Sequence, residues 1–277
     1  MKTFIQTLFV KAIFFSTAAL VLAACQTVQT TQGGTVGVAR QQKMAVSAEE
    51  IDQSAREQYR QVIAEQEKKG QLNRNAAQVS RVRAVASRLI APTAVFRPDA
   101  PRWGWEINVI NSPEVNAWCM PGGKIAVYTG LIEKLNITDD ELAAVLGHEI
   151  AHALREHARE RASEQMGAGV IAAGIDMLGS LYGIEGTGKL ANAGFQLGMG
   201  LPHSRQQETE ADRIGVELAA RAGYNPQAAV TLWQKMGQVG GSEPIKFLST
   251  HPQRDDRQRD LQEYAERVMP LYEQARR

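Results

Sequence analysis

Gly147-His148-Glu149-Ile150-Ala151-His152 sits inside a segment whose start and period are legible. Thr138-Asp139-Asp140-Glu141 supplies a Thr-x-x-Glu capping box with acids in the first turn. Leu142, Val145 and Leu146 then mark a buried side, so a helix opens at Thr138 and runs through the hexapeptide. At about 100° per residue the two histidines lie about 40° apart, with Glu149 about 60° beyond His152, so all three share a face. Two imidazoles one turn apart can bind a single Zn²⁺, with the glutamate beside the water instead of on the metal. Helix-rich proteins also carry such strings as solvated faces, and that alternative has no metal.

The third ligand decides the class of site. The metzincin pattern needs a glycine three residues and a histidine six residues beyond the second ligand. Arg155 and Ala158 stand there, which excludes it. On a continuing helix His157 lies about 140° from His152, so it reads as a surface or helix-packing residue. Downstream, Ser204-Arg205-Gln206-Gln207-Glu208-Thr209-Glu210-Ala211-Asp212 opens a second helical stretch. Glu208 and Asp212, four apart, project together: one can supply an oxygen ligand while the other accepts the ring N–H of a ligating histidine. Glu210 points about 200° from Glu208 and is the wrong choice for the same metal. Taken alone, acids at this spacing more often lie on an exposed helix.

Gly147-His148-Glu149-Ile150-Ala151-His152, followed by Glu208-Thr209-Glu210-Ala211-Asp212, resembles the M48 family of zinc metallopeptidases, whose second motif is ExxAD. The resemblance implies one zinc ion per chain on His148, His152 and Glu208, Glu149 as catalytic acid and base, and Asp212 as the group orienting a ligand. Asn116-Ala117, Pro121-Gly122-Gly123 and Gly130-Leu131 resemble the family's hairpin before the helix. Thr250-His251-Pro252 with Arg257 resembles its HPxxxxR element. That implies a transition-state or gating role for His251 and Arg257, against the alternative of a loop histidine that caps a helix. The strand Lys124, Ile125, Ala126, Val127 resembles an edge that receives extended substrate, with sheet-core packing as the alternative for its side chains.

The implied fold is α+β and mainly helical: a zincin-like domain, with a small sheet or hairpin beside the HExxH helix. Ser47 with Glu50 caps a helix reaching Gly70, and a second spans about Ala76 to Leu89, with Val79, Val82, Val85, Ala86 and Leu89 at helical spacing. From Trp103 the period turns to strand, and Pro121-Gly122-Gly123 joins Val115–Met120 to Lys124–Tyr128 as a hairpin. The Gly- and Ala-rich residues 166–201 are interrupted by Asp176, Glu185 and Lys189. They read as close-packed or mobile helices near a cleft rather than a membrane hairpin.

With 277 residues, 44% hydrophobic and 22% charged, the chain has an ordinary globular composition. Ala12 to Ala24 is an apolar run of 13 residues behind Lys2 and Lys11, shorter than the about 20 that span a bilayer, so residues 1–24 read as a signal peptide. Leu22-Ala23-Ala24-Cys25 resembles a bacterial lipobox, which implies a lipidated Cys25. Gln26 after it points to the outer membrane and a periplasmic domain. Residues 25–45 read as the lipidated cysteine and a flexible tether, and 46–277 as the metallopeptidase domain. Without residues 1–24 the balance is 29 basic against 30 acidic side chains, or −1, which gives no field for nucleic acid. Cys119 is then left without a partner and reads as a buried, inert thiol.

These features imply a zinc endopeptidase acting on unfolded or misassembled envelope proteins in protein quality control. The alternative is a zinc-stabilised periplasmic holdase or assembly factor with little proteolysis. The expected partners are polypeptide substrates, a membrane through the N-terminal lipid, and envelope assembly machinery.

Overall fold

Local capping chemistry sets the helices of the computed structural model, which describes residues 26–166, 203–239, 245–252 and 256–277. The signal-like segment, Cys25 and residues 167–202 lie outside the described residues. Ser47 and Glu50 close a reciprocal capping box on α1 (Ala48–Lys68), and Asn75 caps α2 (Ala76–Ile90), which buries Val79, Val82, Val85, Ala86 and Leu89. No helix among the described residues is long and apolar enough to cross a membrane.

A three-stranded sheet follows, after β1 (Gln26–Val28) and β2 (Gln42–Met44) earlier in the chain: β3 (Glu106–Ile110), β4 (Ala117–Met120) and β5 (Lys124–Tyr128). Gly122 and Gly123, at φ 74° and 79°, make the turn of the β4–β5 hairpin. The strand order is β3-β5-β4, with β3 parallel and β4 antiparallel to β5. β5 is therefore the central strand, which corrects the reading of Lys124, Ile125, Ala126 and Val127 as a substrate-receiving edge. Both of its hydrogen-bonding sides are taken, and Ile125, Ala126 and Val127 are fully buried. Among the described residues, the side of the hairpin without a paired strand belongs to β4.

After α3 (Thr129–Lys134) comes α4 (Asp139–Leu154), opened by a capping box between Thr138 and Glu141. Every residue from Glu141 to Leu154 is buried, so α4 is enclosed on all sides. It crosses α5 (Arg205–Arg221), which Ser204 and Gln207 cap in the same reciprocal way. The crossing depends on two glycines. A Cβ on Gly147 would lie 2.7 Å from the Gly215 carbonyl oxygen, and one on Gly215 would lie 2.7 Å from the His148 nitrogen. α6 (Ala228–Val239), the short α7 (Lys246–Thr250) and α8 (Arg257–Ala275) complete the core around α5.

Two further sequence readings need correction. The residues read as a tether are folded: β1 (Gln26–Val28) and β2 (Gln42–Met44) form an antiparallel ribbon. Its composition hides apolar residues at strand spacing, Val36 with Val38 and Met44 with Val46, and all four are buried. Val36 N–H donates to Glu217 Oε2 at 2.9 Å, fixing the ribbon to α5. The other correction concerns His157. The helix does not continue past Leu154, because Glu156 takes a left-handed φ of 50° and a new helical stretch covers residues 157–166. The projection that put His157 about 140° away therefore does not apply.

Candidate metal centre

All five histidines of the chain meet at the α4–α5 crossing. His148 Nδ1 lies 3.0 Å from Asp212 Oδ1. A carboxylate only accepts, so in the neutral ring Nδ1 carries the proton and Nε2 offers a lone pair. That Nε2 is 3.0 Å from His152 Nε2 and 3.6 Å from Glu208 Oε2, while His152 Nε2 is 3.3 Å from Glu208 Oε1. Nitrogen lone pairs facing each other at this distance repel unless a proton or a metal cation lies between them. Tetrahedral zinc with ligands at about 2.0–2.1 Å spaces the ligand atoms about 3.3–3.4 Å apart, close to the three distances seen. Buried Glu149 Oε1 also makes no hydrogen bond among the described residues, and Glu208 Oε2 has an ion-pair contact with Arg257 but no hydrogen bond. The donor set thus fits a zinc ion.

His152 and Glu208 have the protonation states that this fit requires, whereas at His148 burial is outweighed by Glu208 and Asp212, which raise the pKa, so a metal there competes with a proton. Burial and the adjoining His148, His157 and His251 rings drive the pKa of His152 well down, leaving a neutral donor. Burial alone would raise Glu208, but His148, His251 and Arg257 outweigh it and keep the carboxylate ionised. Burial raises the pKa of Glu149, with His251, His148 and a backbone hydrogen bond from Cys119 holding it down. His251 is a fourth donor: Nδ1 is 3.0 Å from Glu208 Oε1 and 3.1 Å from His148 Nε2, and Nε2 is 3.3 Å from Glu149 Oε1.

Above these groups opens a cleft of about 220 Å³, lined by Glu149, His152, His203 and His251 on one side and residues 116–121 on the other. Asn116 O accepts from Tyr128 N–H at 3.1 Å. By the alternation of an antiparallel ladder, the main-chain groups of Ala117 and Cys119 then turn away from β5, toward the cleft. Asn116 and Ala117 thus border the site, whereas Lys124 bonds Gly104 O and Glu106.

Residues 76–265 match Peptidase family M48. The chain belongs to that family. Among the relatives of this M48 protein, mitochondrial metalloendopeptidase OMA1 of Arabidopsis thaliana is 40% identical over 148 residues, 53% of this chain and 29% of that protein. OMA1 of Schizosaccharomyces pombe is 38% identical over 168 residues, 58% and 46% of the two chains. The beta-barrel assembly-enhancing protease of Escherichia coli is 31% identical over 175 residues, 60% and 36%. The chain spans less than half the length of each of these proteins.

Arg257 departs from the transition-state role implied by the M48 element. It is buried away from the cleft, with NH2 2.7 Å from Asp212 Oδ1 and 3.1 Å from Glu208 Oε2, and its guanidinium lies 3.3 Å from the Trp233 ring centroid. It braces the two acids from behind. His157 is fully buried, neither surface nor simple packing: Nδ1 is 2.8 Å from His152 Nδ1 and Nε2 is 3.2 Å from Glu210 Oε2. Glu210 faces away from the metal cluster, as its helical angle requires. Sequence reasoning missed His203, whose ring centroid is 3.8 Å from that of His152 and which the Arg161 guanidinium touches. Its signal is its place directly before the Ser204 cap of α5. Cys119, on β4, has its thiol enclosed, and burial pushes its pKa well above the ordinary range, so it is no ready thiolate.

Proposed function

We propose that this M48 protein is a zinc-dependent endopeptidase hydrolysing internal peptide bonds of unfolded or misassembled envelope proteins, held by a lipid on Cys25 at the periplasmic face of a bacterial outer membrane. The observation that carries the reading is one donor set, His148, His152 and Glu208, with Glu149 beside it on the cleft wall. The lipobox-like Leu22-Ala23-Ala24-Cys25 supports the location. The relative named a beta-barrel assembly-enhancing protease supports the substrate class and a partnership with envelope assembly machinery.

Zinc, when bound, supplies a Lewis acid that lowers the pKa of water to about 7 and polarises the scissile carbonyl. The protein's own groups do the rest. An extended substrate adds to the outer edge of β4 through Ala117 and Cys119, taking over N–H groups that Asn116 Oδ1 and Glu149 otherwise hold, which aligns its backbone across the cleft and selects unfolded chain over folded. Glu149 takes the water proton and returns it to the leaving amine. Asp212 holds His148 in the ligating tautomer, and Arg257 holds Asp212 and Glu208. His251, donating into the same cluster, gates the corner that water needs.

The test is Glu149→Gln beside wild type, with metal analysis and a cleavage map of casein or a denatured outer-membrane protein. Zinc retained and turnover lost support the reading. Full peptidase activity in Glu149→Gln refutes the mechanism. Equal protection of an uncleaved client by both proteins makes the protein a zinc-stabilised holdase.

A further inference from the structure

We infer that His157 and Glu210, braced by Arg40 of the N-terminal ribbon, form a relay that fixes the tautomer and direction of the His152 ring, so that residues ahead of α1 are part of the metal centre. The inference rests on the zinc reading above.

Proton placement along the relay is determined. His152 turns Nε2 toward His148 Nε2 and Glu208, so that nitrogen must be unprotonated to ligate and Nδ1 must carry the proton. Among the described residues, the group facing Nδ1 in a hydrogen bond is His157 Nδ1, at 2.8 Å. It must accept, which leaves the His157 proton on Nε2, 3.2 Å from Glu210 Oε2. Glu210 can only accept. Each proton therefore points from the metal toward the carboxylate, and reversing any tautomer breaks the chain. His148 gets the same service from Asp212 in one step, and His152 gets it in two.

A second cation is not what this cluster holds. His152, His157 and His203 do approach each other, but the Arg161 guanidinium lies against His203 and Arg155 donates to Glu210 Oε2 at 2.9 Å. Fixed positive charge on both flanks repels a metal.

The break after α4 delivers His157. Glu156, in its left-handed conformation, is clamped by Arg97 at 2.6 Å and Arg159 at 2.8 Å. The ribbon then fastens Glu210. Arg40 bonds Glu210 and also Glu160, at 2.5 and 3.0 Å. Arg40 O accepts from Arg155 at 3.0 Å, and Gln42 Nε2 donates to Arg155 O at 2.7 Å. Two arginines and two glutamates make a neutral quartet, buried except for part of Arg40, so Glu210 has few other orientations.

The experiment measures zinc affinity of the full chain by chelator competition, the visible spectrum of the Co²⁺-substituted protein, and melting of the metal-free protein. His157→Phe should weaken zinc binding about 10- to 100-fold and shift the Co²⁺ bands, and His157→Gln, which keeps an acceptor, should recover part of the loss. Arg40→Gln should weaken zinc in the wild-type background and have no further effect beside His157→Phe, because its influence passes through that ring. If His157→Phe does not fold, the same cycle is run with His157→Gln. Wild-type affinity and spectrum in a folded His157→Phe overturn the relay, as does an Arg40→Gln loss that simply adds to it. A lower metal-free melting point with unchanged affinity also overturns it, as packing alone. A wild-type chain that binds no zinc defeats the zinc reading itself, which is a different result.

Discussion

Gly215→Ala should weaken both the fold and the metal centre, although alanine is the better helix former by about 1 kcal/mol. The added Cβ would stand 2.7 Å from the His148 nitrogen and 2.9 Å from Gly147 C and His148 Cα. All three are backbone atoms, so no side chain can rotate away. Reaching an ordinary contact of 3.4 Å requires α4 and α5 to part by about 0.7 Å, and overpacking of this kind costs about 1–3 kcal/mol. The control is Gly237→Ala in α6, an exposed helical glycine whose added Cβ meets nothing within 4 Å. Comparing the two alanines cancels much of the helix-propensity gain. Thermal unfolding of the metal-free proteins should place Gly215→Ala about 3–10 °C below Gly237→Ala. Because α4 carries both imidazoles and α5 the carboxylate, and metal sites tolerate errors of about 0.2 Å, chelator competition should show zinc at least about tenfold weaker. The reasoning fails if Gly215→Ala melts at or above the control and binds zinc as wild type does.

Glu141 is buried and would have a raised pKa on that ground, but Lys235 at 2.7 Å, the Thr138 N–H and the Thr231 hydroxyl hold it below its ordinary 4.5. A depressed carboxylate stabilises above its unfolded pKa and loses that contribution as pH falls through the folded one. Glu141→Gln should thus lower stability by about 1 kcal/mol at pH 7, and urea melts should show the gap closing well below pH 4.5. Ser47→Ala should lower stability by about 1 kcal/mol through its lost capping box, with zinc affinity unchanged, measured in the same titrations. Methylating the backbone amides of a peptide substrate near the scissile bond should raise KM at least about tenfold if it pairs with β4, and an unchanged KM would argue against edge docking.

What the sequence disclosed depended on how local the cause was. The capping boxes at Ser47 and Thr138, the helix opening at Ser204 and the turn at Gly122-Gly123 are set within four residues, and the structure has each one. Glu208 and Asp212 were legible as a pair because four residues on an unbroken helix always share a face. His157 is not, because Glu156 stands between it and His152, and the left-handed backbone there ends the helix. The central place of β5 depends on β3 pairing from the other side, though the unbroken apolar run Ile125-Ala126-Val127 already suits a strand covered on both faces. The ribbon was hidden for a similar reason, since Val36 is anchored to Glu217, 181 residues away, under a Gln- and Thr-rich surface. A pattern fixes a ligand when one continuous helix presents it, and it loses the group behind that ligand once the chain breaks. His148 keeps its support on α5 at a readable spacing, whereas His152 draws its support from a ring after a break, a carboxylate on another helix and an arginine from the ribbon. The less legible of the two histidines is therefore the one whose surroundings offer most room to tune the metal without touching a ligand.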